Sequence, residues 1–235
     1  MLTLNQVHLG CALELMEKIP SNSIDLILTD PPYGVNFVSR MPVEGFEKPP
    51  IANDSPAEAL HLMRYAFREF DRVLKDGCVV LVFAQGGGPR STLPDVWSLF
   101  RDNFTEENCI CWDKEQIGMG WRYRPSWEAL LVGYKGRERK TWNGGSSRSN
   151  VLREQRIVPP AGEHPTPKPP DLITRLILDN SNEAEVVLDP FCGSGVVPLC
   201  CEKEKRLWIA CELEPKWAAL ATEKVEAEKA QLKLF

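Results

Sequence analysis

The stretch that most constrains this chain is Ile24-Asp25-Leu26-Ile27-Leu28-Thr29 followed by Asp30-Pro31-Pro32-Tyr33-Gly34. A near-continuous apolar run of this length reads as a strand covered on both faces, the habit of a parallel sheet. Asp30 to Tyr33 then fall on the loop at the strand's carboxyl end, where open α/β sheets gather their ligands. A second run, Val186-Val187-Leu188, ends in the same way, with Asp189-Pro190-Phe191-Cys192-Gly193-Ser194-Gly195. Its glycines let the backbone approach a ligand closely before a helix that begins at Val196. A third strand, Trp208-Ile209-Ala210-Cys211, delivers Glu212, about 20 residues after the glycine turn, the offset at which an acid grips ribose hydroxyls. The pattern predicts a doubly wound, mostly parallel α/β sheet of Rossmann-like type holding an adenosine-containing cofactor.

Gly193-Ser194-Gly195 has too few glycines for a dinucleotide fingerprint, and no Walker lysine follows it. That leaves S-adenosyl-L-methionine. Here the chain resembles the DNA amino-methyltransferases of the N6-adenine and N4-cytosine type, in the permuted, β-type order where the catalytic loop precedes the cofactor loop. The resemblance runs through Val7 to Cys11 with the helical stretch Leu13 to Ile19, Ser23 to Gly34, Gly77 to Phe83, Trp121 to Pro125, and His164-Pro165-Thr166-Pro167-Lys168-Pro169 leading into a helix at Leu172 to Leu178. It implies a catalytic loop of Asp30, Pro31, Pro32 and Tyr33. The cofactor site it implies comprises Cys11, Thr166, Lys168, Asp189, Phe191, Cys192, Gly193, Ser194, Gly195 and Glu212. It also implies a role in restriction-modification. Two positions depart from the family pattern: Cys11 stands where an acid usually meets the adenine amine, and a thiol accepts hydrogen bonds poorly. Pro167 stands where glutamine is frequent.

The chemistry of the residues agrees. An exocyclic amine is a weak nucleophile because its lone pair is delocalised into the ring. Asp30 can accept one amine hydrogen and the carbonyl of Asp30 or Pro31 the other, since prolines keep their carbonyls while stiffening the loop. Tyr33 can stack on a base that has left the duplex, offsetting part of an unstacking cost of a few kcal/mol. Methyl transfer is then direct, and positioning carries most of it. In the resembled family an Asp-Pro-Pro-Tyr loop leans towards adenine, so N6-adenine is the expected target and N4-cytosine the alternative. Ring-carbon methylation needs an activated cysteine, and none of the eight cysteines lies in a Pro-Cys catalytic context. An inactive module that binds DNA or a clamp is the competing reading, with Cys11 in its favour.

The 235 residues, 43% of them hydrophobic, suit one α/β domain spanning residues 1–235. The start lacks a basic region followed by a long apolar run, and no membrane-spanning stretch occurs, so a cytoplasmic protein is expected. The cysteines lack paired C-x-x-C spacing and nearby histidines, so no metal site is expected. Met63, Phe67, Phe70 and Leu74 recur at helical spacing as a core stripe. A proline-rich segment at about 36–56 is read as a lid loop over the flipped base. Net charge is −5, but Lys135 to Arg156 carries seven basic residues against two acids. This segment, about 135–160, is read as a small target-recognition insertion, with Arg137, Arg139, Lys140, Trp142 and Arg148 contacting DNA. The final Gln231-Leu232-Lys233-Leu234-Phe235 resembles a sliding-clamp peptide, with Gln231, Leu232, Leu234 and Phe235 as contacts. Dimers are frequent in the resembled family, which makes a homodimer an expectation from that resemblance.

Overall fold

The computed structural model describes residues 2–34, 55–87, 91–118, 121–157 and 166–232. The segment expected to form a lid falls outside these residues except for Ser55 and Pro56, and the last three residues of the clamp-like tail fall outside them too.

Eight strands form one sheet: β1 (Gln6–Leu9), β2 (Ile24–Thr29), β3 (Leu74–Gln85), β4 (Thr105–Asp113), β5 (Trp127–Tyr134), β6 (Val151–Arg153), β7 (Val186–Asp189) and β8 (Leu207–Glu212). Their order is β1-β8-β7-β2-β3-β5-β4-β6. β5 runs antiparallel between β3 and β4; the other pairings are parallel. The carboxyl ends of β1, β8, β7, β2, β3, β4 and β6 therefore share one edge with the amino end of β5. Asp30, Asp189 and Glu212 all lie at that edge.

The helices are α1 (Ala12–Met16), α2 (Pro56–Val73), α3 (Leu93–Asn103), α4 (Pro170–Asn180), α5 (Val196–Lys203) and α6 (Pro215–Leu232). α1, α2 and α3 cover one face of the sheet, and α4, α5 and α6 cover the other. Central strands therefore feed both cores by alternation: Val80 and Val82 face the first, Val79, Leu81 and Phe83 the second. This is the doubly wound sheet the buried runs predict.

Local chemistry sets the element ends. Ser55 caps α2, accepting from the Glu58 amide at 3.3 Å while the Glu58 carboxylate reaches back to the Ser55 amide at 3.4 Å. Met63, Phe67 and Phe70 form the expected buried stripe, but the helix stops at Val73 and Leu74 opens β3. Phe67 is the hub of the first core, edge-on to Phe70, Phe100 and Phe104 at 5.7–5.9 Å between ring centres. Burying one such ring stabilises the fold by about 1.5–3 kcal/mol.

The segment after β5 does not stand apart as a separate unit. It leaves the amino edge of the sheet and folds back along it, then returns through β6 to pair with β4. Arg139 bonds Glu107 near the start of β4 and Asn180 at the end of α4, and the Lys140 amide donates to the Gly77 carbonyl at 2.9 Å. No described helix is long and apolar enough to cross a membrane.

Candidate active site

Asp30 emerges from the carboxyl end of β2, and Asp189 ends the adjacent β7. One hydrogen bond joins the two loops at their roots: the Thr29 hydroxyl donates to Asp189 Oδ1 at 2.7 Å. The same oxygen accepts from the Phe191 amide at 3.2 Å, which starts the turn leading to Gly193 and Gly195. Gly195 has φ +82°, and a Cβ there would lie 2.7 Å from the Cβ of Ala221, so only glycine lets the loop pass so close to α6.

Asp189 is 3% exposed, and burial pushes its carboxyl up to about 7 despite the two donors. Its folded pKa lies above the unfolded value, so its stabilising contribution is complete below about pH 4 and is lost as pH rises through 7. Asp189→Asn keeps an acceptor oxygen and removes this titration. The variant's deficit in urea denaturation should therefore shrink, or reverse, between pH 5 and pH 8, by about 3 kcal/mol at most, because about one pH unit of the titration window lies below pH 5. A deficit identical at both pH values would refute this.

Glu212 closes the cofactor side. Its carboxylate accepts from the Gly193 amide at 2.9 Å and from the Glu214 amide at 2.8 Å; burial raises its pKa against these bonds. The Gly10 amide donates to the Glu212 carbonyl at 2.9 Å, which sets Cys11 beside the same strand end. Cys11, Asp189, Phe191, Cys192, Gly193, Ser194, Gly195 and Glu212 thus converge at one edge, as a cofactor cradle requires. Thr166 is exposed two residues before Lys168. The thiol of Cys192 is pushed up by burial and that of Cys211 to about 12, which leaves neither as a thiolate.

Around Asp30 lies a network of opposed charges. The Lys168 ammonium pairs with Asp30 Oδ2 and, at 3.3 Å, with Glu128. The Tyr33 hydroxyl donates to Asp30 Oδ1 and lies 3.1 Å from Glu128. Lys114 pairs with the other Glu128 oxygen at 3.2 Å. Lys168 is 5% exposed, lying 4.9 Å from the centre of the Phe83 ring and 5.8 Å from that of Trp112, whereas the Asp30 side chain keeps 28% exposure. A substrate can therefore reach the carboxylate while the ammonium stays behind it.

Burial raises the Asp30 pKa, Lys168 opposes that, and the like charge of Glu128 adds to the rise. Burial works against the charge on Glu128 too, but Lys168 and Lys114 win and hold it low. Burial likewise disfavours the Lys168 ammonium, yet the carboxylates of Asp30 and Glu128 raise it. Burial and the two neighbouring carboxylates keep Tyr33 a phenol.

The structure differs here from the expectation for two residues. Lys168, expected on the cofactor, pairs with the Asp30 carboxylate. Tyr33, expected to stack, also orients Asp30 through its hydroxyl. Glu128 and Lys114 were not anticipated, because the strand rule looks for acids at carboxyl ends and β5 brings its amino end to this edge. Gln85, in register with Glu128, adds a shielded side-chain oxygen that lacks a hydrogen-bond partner.

The basic segment lies elsewhere. Arg137, Arg139, Lys140, Trp142 and Arg148 follow β5 at the amino edge, opposite Asp30. Arg139 stacks on Trp142 at 4.6 Å while bound to Glu107, and Arg148 pairs with Asp179 at 2.7 Å.

A strand-edge cradle for a nucleoside beside a carboxylate set among hydrogen-bonding partners describes a Rossmann-like group-transfer enzyme. The comparisons narrow the class. The N6_N4_Mtase family, described as DNA methylase, matches residues 24–223. Type II methyltransferase M.HpaI of Haemophilus parainfluenzae is 26% identical over 92% of this chain and 73% of its own length. DNA adenine methyltransferase YhdJ of Escherichia coli is 26% identical over 92% of this chain and 81% of its own. In fold, the chain is similar to the Thermus thermophilus protein TTHA0409 solved with S-adenosyl-L-methionine (TM-score 0.70, 23% identity, 95% of each chain). It is also similar to the cytosine-N4-specific PvuII DNA methyltransferase (TM-score 0.74, 18% identity, 96% of this chain and 91% of that one). The chain belongs to the N6/N4 DNA methylase family.

Proposed function

We propose that the protein is a site-specific DNA methyltransferase that moves a methyl group from S-adenosyl-L-methionine to the exocyclic N6 of a flipped-out adenine. The observation that carries this reading is the Thr29–Asp189 hydrogen bond, which locks the catalytic loop and the cofactor cradle side by side on neighbouring strands.

The residues present fit the cofactor. Glu212 stands where ribose hydroxyls would be gripped, the Gly193–Gly195 turn admits a close backbone approach, and Cys11 lies where the adenine would end. Bound there, S-adenosyl-L-methionine supplies an activated methyl group. The chain supplies alignment: Asp30 accepts a hydrogen of the target amine, a loop carbonyl accepts the other, and the nitrogen lone pair is freed towards the methyl group. Each oxygen of Asp30 has a second lone pair beyond the one used by Tyr33 or Lys168, so the network leaves room for this bond. The proton released from the product amine passes to Asp30 or water.

Adenine is favoured by the Asp-Pro-Pro-Tyr loop and by the E. coli relative named as an adenine methyltransferase. The likeness in fold to a cytosine-N4 enzyme supports N4-cytosine as the second reading. Labelled methyl transfer to mixed duplex DNA, followed by nucleoside mass spectrometry, decides: N6-methyladenine is expected, and N4-methylcytosine would overturn the first reading in favour of the second. Acting on DNA, the enzyme would work in the cytoplasm.

A tether to a sliding clamp is a separate reading supported by the tail sequence, with Gln231 exposed near the end of α6. Equal retention on clamp beads with and without the last five residues would end it. A homodimer, which the family resemblance favours, would show as twice the chain mass in light scattering.

A further inference from the structure

We propose that the loop between β4 and β5, residues 114–118 and 121–126, is the surface that grips duplex DNA around the flipped base. This rests on DNA being the substrate and adds where the enzyme meets it.

Four observations converge. First, the loop joins the carboxyl end of β4 to the amino end of β5, so it stands on the same edge as Asp30 and is rooted in the catalytic network through the Lys114–Glu128 pair. Second, its two arms are tied together: the Lys114 amide donates to the Ser126 carbonyl at 2.9 Å, the Gly118 amide to the Pro125 carbonyl at 2.6 Å, and Arg124 Nε to the Gly118 carbonyl at 2.6 Å. Third, it presents Trp121 at 85% and Tyr123 at 103% exposure, the two most exposed large apolar side chains described. Neighbouring large aromatic side chains left to water beside a carboxylate-lined site mark a binding surface, and bases are natural partners because every base offers a π-face.

Fourth, the charge fits. Arg122 and Arg124 flank Tyr123, and both are exposed. Arg153, at the end of β6, pairs with Asp113 at 3.7 Å yet keeps 72% side-chain exposure, and Arg156, three residues on, lies 3.2 Å from Gln116, so two more cations reach the same edge. Arg139 and Arg148, in the more conspicuous basic segment, lie at the opposite edge, paired with Glu107 and Asp179. Arginines beside aromatic rings, next to a carboxylate that must meet an extruded base, complement a phosphate backbone and the bases it carries.

The test compares two variants with the wild type: Trp121→Ala/Tyr123→Ala on the loop and Arg137→Gln/Lys140→Gln on the far edge. Unmethylated fluorescein-labelled mixed duplex DNA is the probe. The loop variant should weaken DNA binding at least tenfold, while calorimetric affinity for S-adenosyl-L-methionine and the melting temperature stay unchanged. The far-edge variant should bind DNA within twofold of wild type. Arg122→Gln should also lower the slope of log affinity against log salt by about 1. A loop variant with wild-type DNA affinity would overturn the proposal. So would a loop variant that only converts a dimer to a monomer, which would assign the face to a second copy. Wild-type enzyme that methylates no DNA would instead sink the functional reading.

Discussion

Asp30→Ala should abolish methyl transfer, lowering the rate by about a thousandfold, while affinity for S-adenosyl-L-methionine changes little. The expected separation follows from the layout: Asp30 leaves β2, whereas Glu212 and the Gly193–Gly195 turn hang from β8 and β7. Folding should survive, because Lys168 keeps Glu128 at 3.3 Å as a partner once Asp30 is gone. Asp30→Asn, which retains one acceptor oxygen but no charge, should fall between the two. Single-turnover transfer of labelled methyl with calorimetry on the same samples measures both quantities. Transfer within tenfold of wild type for Asp30→Ala would remove this carboxylate from the reaction.

Lys168→Met carries the second-largest expected effect and separates two roles for this residue. If the ammonium serves Asp30, its removal takes away the chief influence that opposes burial there. The Asp30 pKa must then rise further, so a larger share is protonated at neutral pH and unable to accept an amine hydrogen. The acid limb of the rate profile should move to higher pH, with a ten- to hundredfold loss near pH 7 that recovers partly towards pH 9. Stability should also fall, by up to about 3–5 kcal/mol, because Asp30 and Glu128 lose a shared cation, and the loss should be greater at pH 8 than at pH 5, where protonation relieves the repulsion. An unchanged pH profile accompanied by weaker cofactor binding would return Lys168 to the cofactor site.

Much of this site is legible in the chain. Ile24 to Thr29, Val186 to Leu188 and Trp208 to Cys211 are apolar because central parallel strands are covered on both faces, and each ends in the polar residues that serve the carboxyl edge. The glycine turn is legible because Gly195 lies at a backbone conformation and a clearance no other residue satisfies. What local pattern could not convey was partnership across the sheet. Glu128 lies 98 positions from Asp30 and Lys168 a further 40 along. Their meeting depends on β5 being threaded antiparallel between β3 and β4.

The basic segment shows the same limit from the other side. Seven cations close together in sequence read as a phosphate footprint, but composition does not say at which end of a strand they emerge. Because β5 points away from the edge that bears Asp30, Arg137 to Arg148 leave the sheet opposite it, and the shorter, less charged loop bearing Trp121 and Tyr123 stands on the Asp30 side.

By itself, then, the sequence determined which strands are buried, where each turns, and which acids those turns present, since these follow from solvent exposure and backbone sterics acting over a few residues. Only the tertiary structure decided which charges neutralise one another and which loops share an edge with Asp30, because Coulomb interactions and edge polarity depend on distances set by strand order and direction.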